Sequence, residues 1–595
     1  MWLKTNIIKI NIFILVAAIG SPLFFSSRAT ATEDHLWNHP EWLRLNHYVK
    51  SLTGKYQSKI QGPYFLAPDG KQNPESEFKT LVEKLKNEPL ETKEKIQCRY
   101  PARMDFLNRY YFSKENQIPL CASKHDWIQK LGANRISLIF ASGYLGSASS
   151  TYGHTFLKFI DESKQGGREL VDYAVNFSAR TGETQGALYA LYGLFGYFPG
   201  AYTLLPYHQL IKEYTNLEGR DLWEYELSLT PEEVRRLILY LLEMEGTYID
   251  YYFVDDNCSF HILWALQIAR PSLNFIDPEE AYVIPLETVK LVERIPGLIS
   301  QTNYRPSLRT IFENQYSLLT DQEKKDLQKY TRGENHLEQM STKTLEATQT
   351  HASIQEASDP IAWKEKSYAL ALARAQRPDQ TEYRKSEKEN PVFSSDTGLL
   401  GVQLSSSSEI SSQSFRVGFA YQDFLTRQSQ WQELQVMNFQ LQYAHHQLKL
   451  TDWTLLKVRS TDHWASPLGK PSWGFFVGGK DSLSYFEGQW GLGHDLSHNR
   501  LLVLPTVAIH NRDRKGLFFG GTEFLALSNI TKKLRGLAQL KSLSSNLGWS
   551  HQTSLELSQD LSDQNKVRLQ VLNLSENEKT ETQINFSLYL HFLFD

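Results

Sequence analysis

The stretch Asp255-Asp256-Asn257-Cys258-Ser259-Phe260-His261-Ile262-Leu263, continued by Trp264-Ala265-Leu266, decides how the chain is read. Three small acidic or polar residues precede a cysteine that heads an apolar run with helical spacing: Phe260, Leu263, Trp264 and Ile268. Asp and Asn cap helices because their side-chain oxygens accept the first free N–H groups, so Cys258 is predicted in a first helical turn. There the unpaired N–H groups and the positive end of the helix dipole stabilise a thiolate. A lone cysteine is more commonly just a small buried core residue. Two features favour chemistry instead. Cys258 is the odd one of three cysteines, and His154 stands upstream in an unusual setting.

Upstream of this stretch, residues 1–31 read as a secretory signal. Lys4 and Lys9 supply a basic start, Ile12 to Ile19 an apolar core too short for a bilayer, and Ala29-Thr30-Ala31 a small-x-small cleavage site. No cysteine follows that site, so the chain is not itself read as a lipid-anchored lipoprotein. The remaining residues suffice for about three domains. A net charge of −4 carries no electrostatic footprint for nucleic acid, and no His/Cys/Asp cluster has metal spacing, so neither metal nor cofactor is expected. In an oxidising compartment Cys98 and Cys121 are plausible disulfide partners, which leaves Cys258 as the free thiol.

Residues 32–130 look mainly helical, from the spacing of Trp42, Leu43, Leu45, Tyr48 and Val49 and then of Phe78, Leu81, Leu85 and Leu90. The next segment, 131–300, opens with a probable strand from Arg135 to Gly143. A second carries Gly153, His154 and Phe156, and a third Tyr173 to Phe177. Gly153 leaves room for a group to approach His154. With Cys258 as nucleophile, His154 is the candidate base, and Asn176 could fix its tautomer by bonding the second ring nitrogen. Residues 186–211 lack any charge and are rich in Tyr and Gly. They read as a loop or short helices at a membrane surface, over an acyl groove, or in a buried hairpin. Thr230-Pro231-Glu232-Glu233 starts a clear helix.

The order His, then helix, then Cys carries a resemblance. A thiol on a helix N-terminus against a His-bearing sheet resembles the papain-like (NlpC-type) arrangement, and His before Cys resembles its circularly permuted branch. That branch includes the lecithin:retinol acyltransferase-like proteins, whose Asn-Cys-x-His-Phe motif is similar to Asn257 to His261 with the histidine one place later here. Four stretches resemble the bacterial lipoprotein N-acyltransferase (Lnb) N-terminal periplasmic domain family: Ser150 to Phe156, Tyr173 to Phe177, Arg220 to Tyr225 and Tyr251 to Cys258. They span roughly residues 130–290. The resemblance implies a Cys-dependent acyl transfer, with a phospholipid as donor and the amine of a lipoprotein's N-terminal cysteine as acceptor. Supporting positions would be Gly153, Asp256 and Asn257, with Tyr144 or Ser150 as oxyanion donors beside the Cys258 N–H. Two other readings stand beside it: an NlpC-type peptidase or amidase acting on cell-wall peptide, and a non-catalytic outer-membrane scaffold.

Residues 301–396 read as a polar helical connector. From 397 to 595 the texture becomes strict alternation, as in Phe415, Val417, Phe419 and Tyr421, or Ile584, Phe586, Leu588, Leu590, Phe592 and Phe594. About ten to twelve strands fit, as an outer-membrane barrel or as a soluble sandwich or barrel. The large apolar residues favour the membrane barrel. The expected class is thus α+β: a helical N-terminal part, a permuted papain-like domain and a C-terminal antiparallel β-barrel, exported to the periplasm and outer membrane of a Gram-negative bacterium.

Overall fold

A computed structural model of the chain describes residues 33–593. Left out are 52, 144–152, 165–171, 183, 185–191, 194–195, 253–255, 277–282, 335–336, 380–387 and one to three residues in most barrel turns. The expected signal segment, Tyr144, Ser150 and Phe594 therefore lie outside the described residues.

The N-terminal part is largely helical, with helices Pro74–Asn87, Leu90–Arg99, Pro101–Tyr110 and Ala122–Leu131. Arg103 is fully buried there between the carboxylates of Glu77 and Glu243, the latter at 2.8 Å. Tyr48 and Val49 depart from the helical spacing read in sequence: they lie on a short strand, β1 (Tyr48–Lys50), paired with β2 (Tyr56–Ser58). The preceding helix Pro40–Leu45 ends before them, and His47 takes a positive φ of 52° that turns the chain.

The central sheet has eight strands. They are β3 (Ile60–Gln61), β4 (Arg135–Ala141), β5 (His154–Ile160), β6 (Tyr173–Ala179), β7 (Phe198–Pro206), β8 (Leu222–Leu227), β9 (Tyr248–Tyr251) and β10 (Ile299–Arg305). Their order is β10-β8-β4-β5-β6-β7-β9-β3, antiparallel throughout. β7 corrects part of the reading of 186–211: residues 198–206 are an internal strand between β6 and β9, followed by the short helix Tyr207–Ile211. Gly200 is needed there because a Cβ would meet the Phe177 ring at 2.7 Å.

Three helices matter for the site: α1 (Pro231–Glu243), α2 (Cys258–Ala269) and α3 (Pro285–Glu293). α1 starts in a full capping box between Thr230 and Glu233. α2 is apolar on every side, as suits a helix wrapped by protein. Phe260, Ile262, Leu263, Trp264 and Leu266 are all buried, and each such side chain contributes roughly 1.5–3 kcal/mol. α2 packs on α1 and α3 and against β5 and β6.

Beyond the helices Leu308–Ser317, Asp321–Thr331, Thr342–Ser358 and Pro360–Ala375 the chain forms a closed barrel of twelve antiparallel strands, β11 (Gly398–Ser407) to β22 (Lys579–Phe592). Closure is direct, with β11 paired to β22 from Gly398↔Phe592 to Ser407↔Gln583. On β22, Ile584, Phe586, Leu588 and Leu590 are 38 to 51 % exposed, whereas Asn585, Ser587, Tyr589 and His591 are buried in the lumen. Apolar residues outside and polar ones within is the pattern of a barrel solvated by lipid, not of a soluble sandwich. Among the described residues no helix is long and apolar enough to cross a membrane. The chain accordingly belongs to the periplasm and outer membrane.

The barrel is tied to the helices and sheet before it. Lys290 of α3 and Arg294, its C-cap, pair with Asp396 at 2.8 and 3.2 Å, and Arg309 pairs with Asp462 at 2.6 Å.

Candidate active site

Asn257 caps α2: its Oδ1 accepts the N–H groups of Ser259 and Phe260 at 2.9 and 3.2 Å, and its Nδ2 donates to Val283 O at 2.6 Å. Cys258 is therefore the first residue of the helix, at the positive end of its dipole. Asp256, just before the cap, forms a two-oxygen pair with Lys59 at 2.9 Å. Lys59 comes from the N-terminal part and also lies 4.6 Å over the Phe260 ring. Sequence patterning did not single it out, since one lysine in a polar turn carries no signal.

His154 opens β5, opposite Ala141 of β4. Gly153 delivers it with a φ of +100°, and a Cβ there would meet the Phe140 ring at 2.5 Å. The ring Nε2 lies 2.6 Å from Oδ1 of Asn176 on β6. As Oδ1 can only accept, Nε2 carries the proton, which leaves Nδ1 for the Cys258 thiol hydrogen-bonded to this histidine. Burial pushes the thiol up, but the His154 charge and hydrogen bond outweigh it, helped by the Thr155 N–H and the Ser259 hydroxyl. Cys258 ends below an ordinary thiol. His154 moves the other way. Burial lowers it, and the facing thiolate, with support from Asn176, raises it above an ordinary imidazole. Each shift favours the charged form of its group, the thiolate and the imidazolium.

Sequence reasoning missed the roof of this pair. A one-turn π-helix, Lys212–Leu217, sets Tyr214 5.8 Å from the His154 ring and 5.7 Å from Phe156. Arg220 lies beneath the Tyr214 ring at 4.9 Å and donates to the carbonyls of Ser142 and Ala141 at 2.6 and 3.0 Å, fixing the end of β4 beside His154. Arg220 opens one of the stretches quoted for the family resemblance, which was the available signal.

His261, one turn further along α2, does not join the pair. It is buried with neither ring nitrogen hydrogen-bonded, its ring 3.9 Å from that of Phe177. Cys98 and Cys121 are disulfide-bonded, with Cα atoms 5.4 Å apart, and Cys258 is free.

An activated thiol with an oriented imidazole can attack a carbonyl and return a proton to the leaving group. The oxyanion candidates Tyr144 and Ser150 fall outside the described residues.

Solved structures similar to the barrel include the KdgM porin (9% identity, 33% of this chain and 99% of that one, TM-score 0.24). Others are the NanC porin (8%, 32% and 100%, TM-score 0.23) and an anion-selective porin from Comamonas acidovorans (8%, 33% and 98%, TM-score 0.17). No curated protein matches the chain. Family models described as domains of unknown function match residues 34–110 (DUF7843) and 388–591 (DUF7840). Residues 123–294, which hold His154, Asn176 and Cys258 together, match the family described as the Lnb N-terminal periplasmic domain.

Proposed function

We propose that the chain is a cell-envelope thiol acyltransferase, with Cys258 as nucleophile, His154 as general base and acid, and Asn176 as the residue that orients the imidazole. The Cys258 thiolate attacks the ester carbonyl of a phospholipid and forms the S–C bond. The tetrahedral intermediate collapses, the ester C–O bond breaks, and His154 protonates the departing alkoxide, leaving an acyl-thioester and a lysolipid. The amine of a lipoprotein's N-terminal cysteine then attacks the thioester, and the thiolate leaves. The proton lost by the nitrogen passes to His154, which restores the pair. The Cys258 N–H at the start of α2 is one donor for the oxyanion.

The observation that carries this reading is the Cys258–His154–Asn176 alignment at the head of α2, inside the segment that matches the Lnb periplasmic domain. The membrane barrel on the same chain supports a lipid rather than a cell-wall peptide as donor, because it holds the site beside a bilayer. The test is intact-mass measurement after incubation with defined phospholipid vesicles. An added mass of one acyl chain, mapped to Cys258 and discharged by a peptide with a free N-terminal cysteine, is expected. Cleavage of cell-wall peptides without any acyl adduct would replace this reading with the amidase one.

A further inference from the structure

Charged pairs cross the lumen of the barrel. Arg459 of β14 (Gln447–Ser460) donates to both carboxylate oxygens of Glu523 on β18 (Lys515–Asn529) at 3.1 and 3.0 Å. These strands stand four places apart in a ring of twelve. The same guanidinium donates to Gln489 of β16 (Leu483–Leu496) at 3.2 Å and pairs with Glu433 of β13 (Gln432–Ala444) at 3.3 Å. From β19 (Leu534–Ser545), Gln539 donates to Glu523 at 2.8 Å and Lys541 reaches Glu487 of β16 at 2.6 Å. Arg459, Glu523, Glu433 and Glu487 are all at most 5 % exposed. Charges lining a water-filled channel stay wet. Here they have lost their water and are compensated by one another.

The mouth beside the periplasmic part is closed by other means. The connection after β12 (Ser411–Gln422) turns into the barrel. Its Asp423 accepts from Arg568 of β21 (Asn565–Glu576) at 2.9 Å. Phe424, 2 % exposed, packs among Leu502 and Leu504 of β17 (Asn499–Arg512) and Leu525 and Leu527 of β18. β18 is six strands from β12, on the opposite wall. The turn thus spans the opening, with Leu425 and Thr426 buried behind Phe424. The Arg459 guanidinium, 5.6 Å over the Phe424 ring, joins this cover to the charged layer.

We propose that the barrel is a sealed anchor and not a pore: it holds the periplasmic part at the membrane and passes neither ions nor small solutes. This assignment does not depend on the chemistry of Cys258. The test reconstitutes the full-length chain into planar bilayers and into phospholipid vesicles loaded with a small fluorescent dye, beside the variants Phe424→Gly and Arg459→Ala. A heat-dependent shift in gel mobility, which reports a closed barrel, qualifies each variant. The expected result is no conductance steps and protein-free levels of dye loss for the natural chain, with leakage from the variants that close. Steady conductance from the natural chain overturns the proposal. Folded variants that both stay as tight as their parent overturn the assignment of the seal to the turn and the charged layer. Should neither variant close, the conductance of the natural chain decides alone.

Discussion

In the sheet that carries His154 both faces are covered, whereas the barrel covers only the face that looks inward. Every residue of β5 from His154 to Phe159 is buried. Leu157 and Phe159 meet the helical core on one side, and Phe156 meets Tyr207, Leu210 and Tyr214 on the other. On β22 the large apolar residues face outward and the polar ones are enclosed. The two regions consequently treat buried charge differently. The barrel cancels its charges in close pairs across the lumen. The sheet pairs charges too, Lys158 of β5 with Glu224 of β8 at 3.0 Å, but it also meets the free thiol of Cys258, on α2, at His154. A buried ion pair that is fully satisfied is inert, whereas on the proposed reading a thiol facing an imidazole can exchange a proton with it.

That contrast is most severely tested at the proposed nucleophile and base. Cys258→Ala and His154→Ala are each expected to lower acyl transfer by roughly 10³-fold or more, and the double substitution to add little, since nucleophile and base act as one unit. Circular dichroism and barrel mobility should match the parent. A His154→Ala protein that keeps most of its turnover would sink the mechanism.

Next in size come the inert charges and the lipid face. Arg103→Ala would strand Glu77 and Glu243 in the core and is expected to cost about 3–5 kcal/mol. Urea denaturation followed by fluorescence should show it as a lower midpoint for the periplasmic part. Leu588→Arg, on the outward face of β22, should cost about 2–4 kcal/mol near the bilayer midplane. Leu588→Phe should be nearly neutral. Unfolding from vesicles separates the two, and equal tolerance of Arg and Phe would mean that Leu588 does not face lipid.

Much of this architecture is legible in the sequence, for identifiable reasons. Asn257 before an apolar run marks a capped helix, and an odd cysteine marks a free thiol. Cys258 and His154 could be named as partners from residue type and order, but they stand far apart in sequence and only the fold brings them and Asn176 together. Alternation identifies the barrel but not its solvent, because a sandwich alternates too; the exposure of Ile584, Phe586 and Leu588 settles that. What stays hidden depends on irregular backbone or on distant partners. Tyr214 reaches His154 through a π-turn that no periodicity announces. Residues 198–206 look like a loop because Gly and Pro interrupt them, yet the tertiary fit of Gly200 to Phe177 makes them a strand. The turn Asp423-Phe424-Leu425-Thr426 looks ordinary until its partners on β17, β18 and β21 are known.

The smallest effect concerns Asn176, and its sign can be worked out. The Asn176 oxygen accepts the Nε2 proton and so favours the charged imidazolium; it is one of the contributions that hold His154 above an ordinary imidazole. The imidazolium in turn holds Cys258 below an ordinary thiol. On the proposed mechanism the working thiolate–imidazolium form is expected between the lowered thiol value and the raised imidazole value. Asn176→Ala removes one support of the imidazolium, so the upper limit should move down. A less charged His154 stabilises the thiolate less, so the lower limit should move up. The window narrows from both sides while the maximum rate falls modestly, by about tenfold, because only orientation is lost. Alkylation of Cys258 by iodoacetamide between pH 4 and 10 reads the lower limit, and the pH profile of acyl transfer reads both. Asn176→Gln, which can still present an oxygen, should restore part of the width. A profile that drops in height with both limits fixed would leave Asn176 a packing residue of β6 and not a partner of the imidazole.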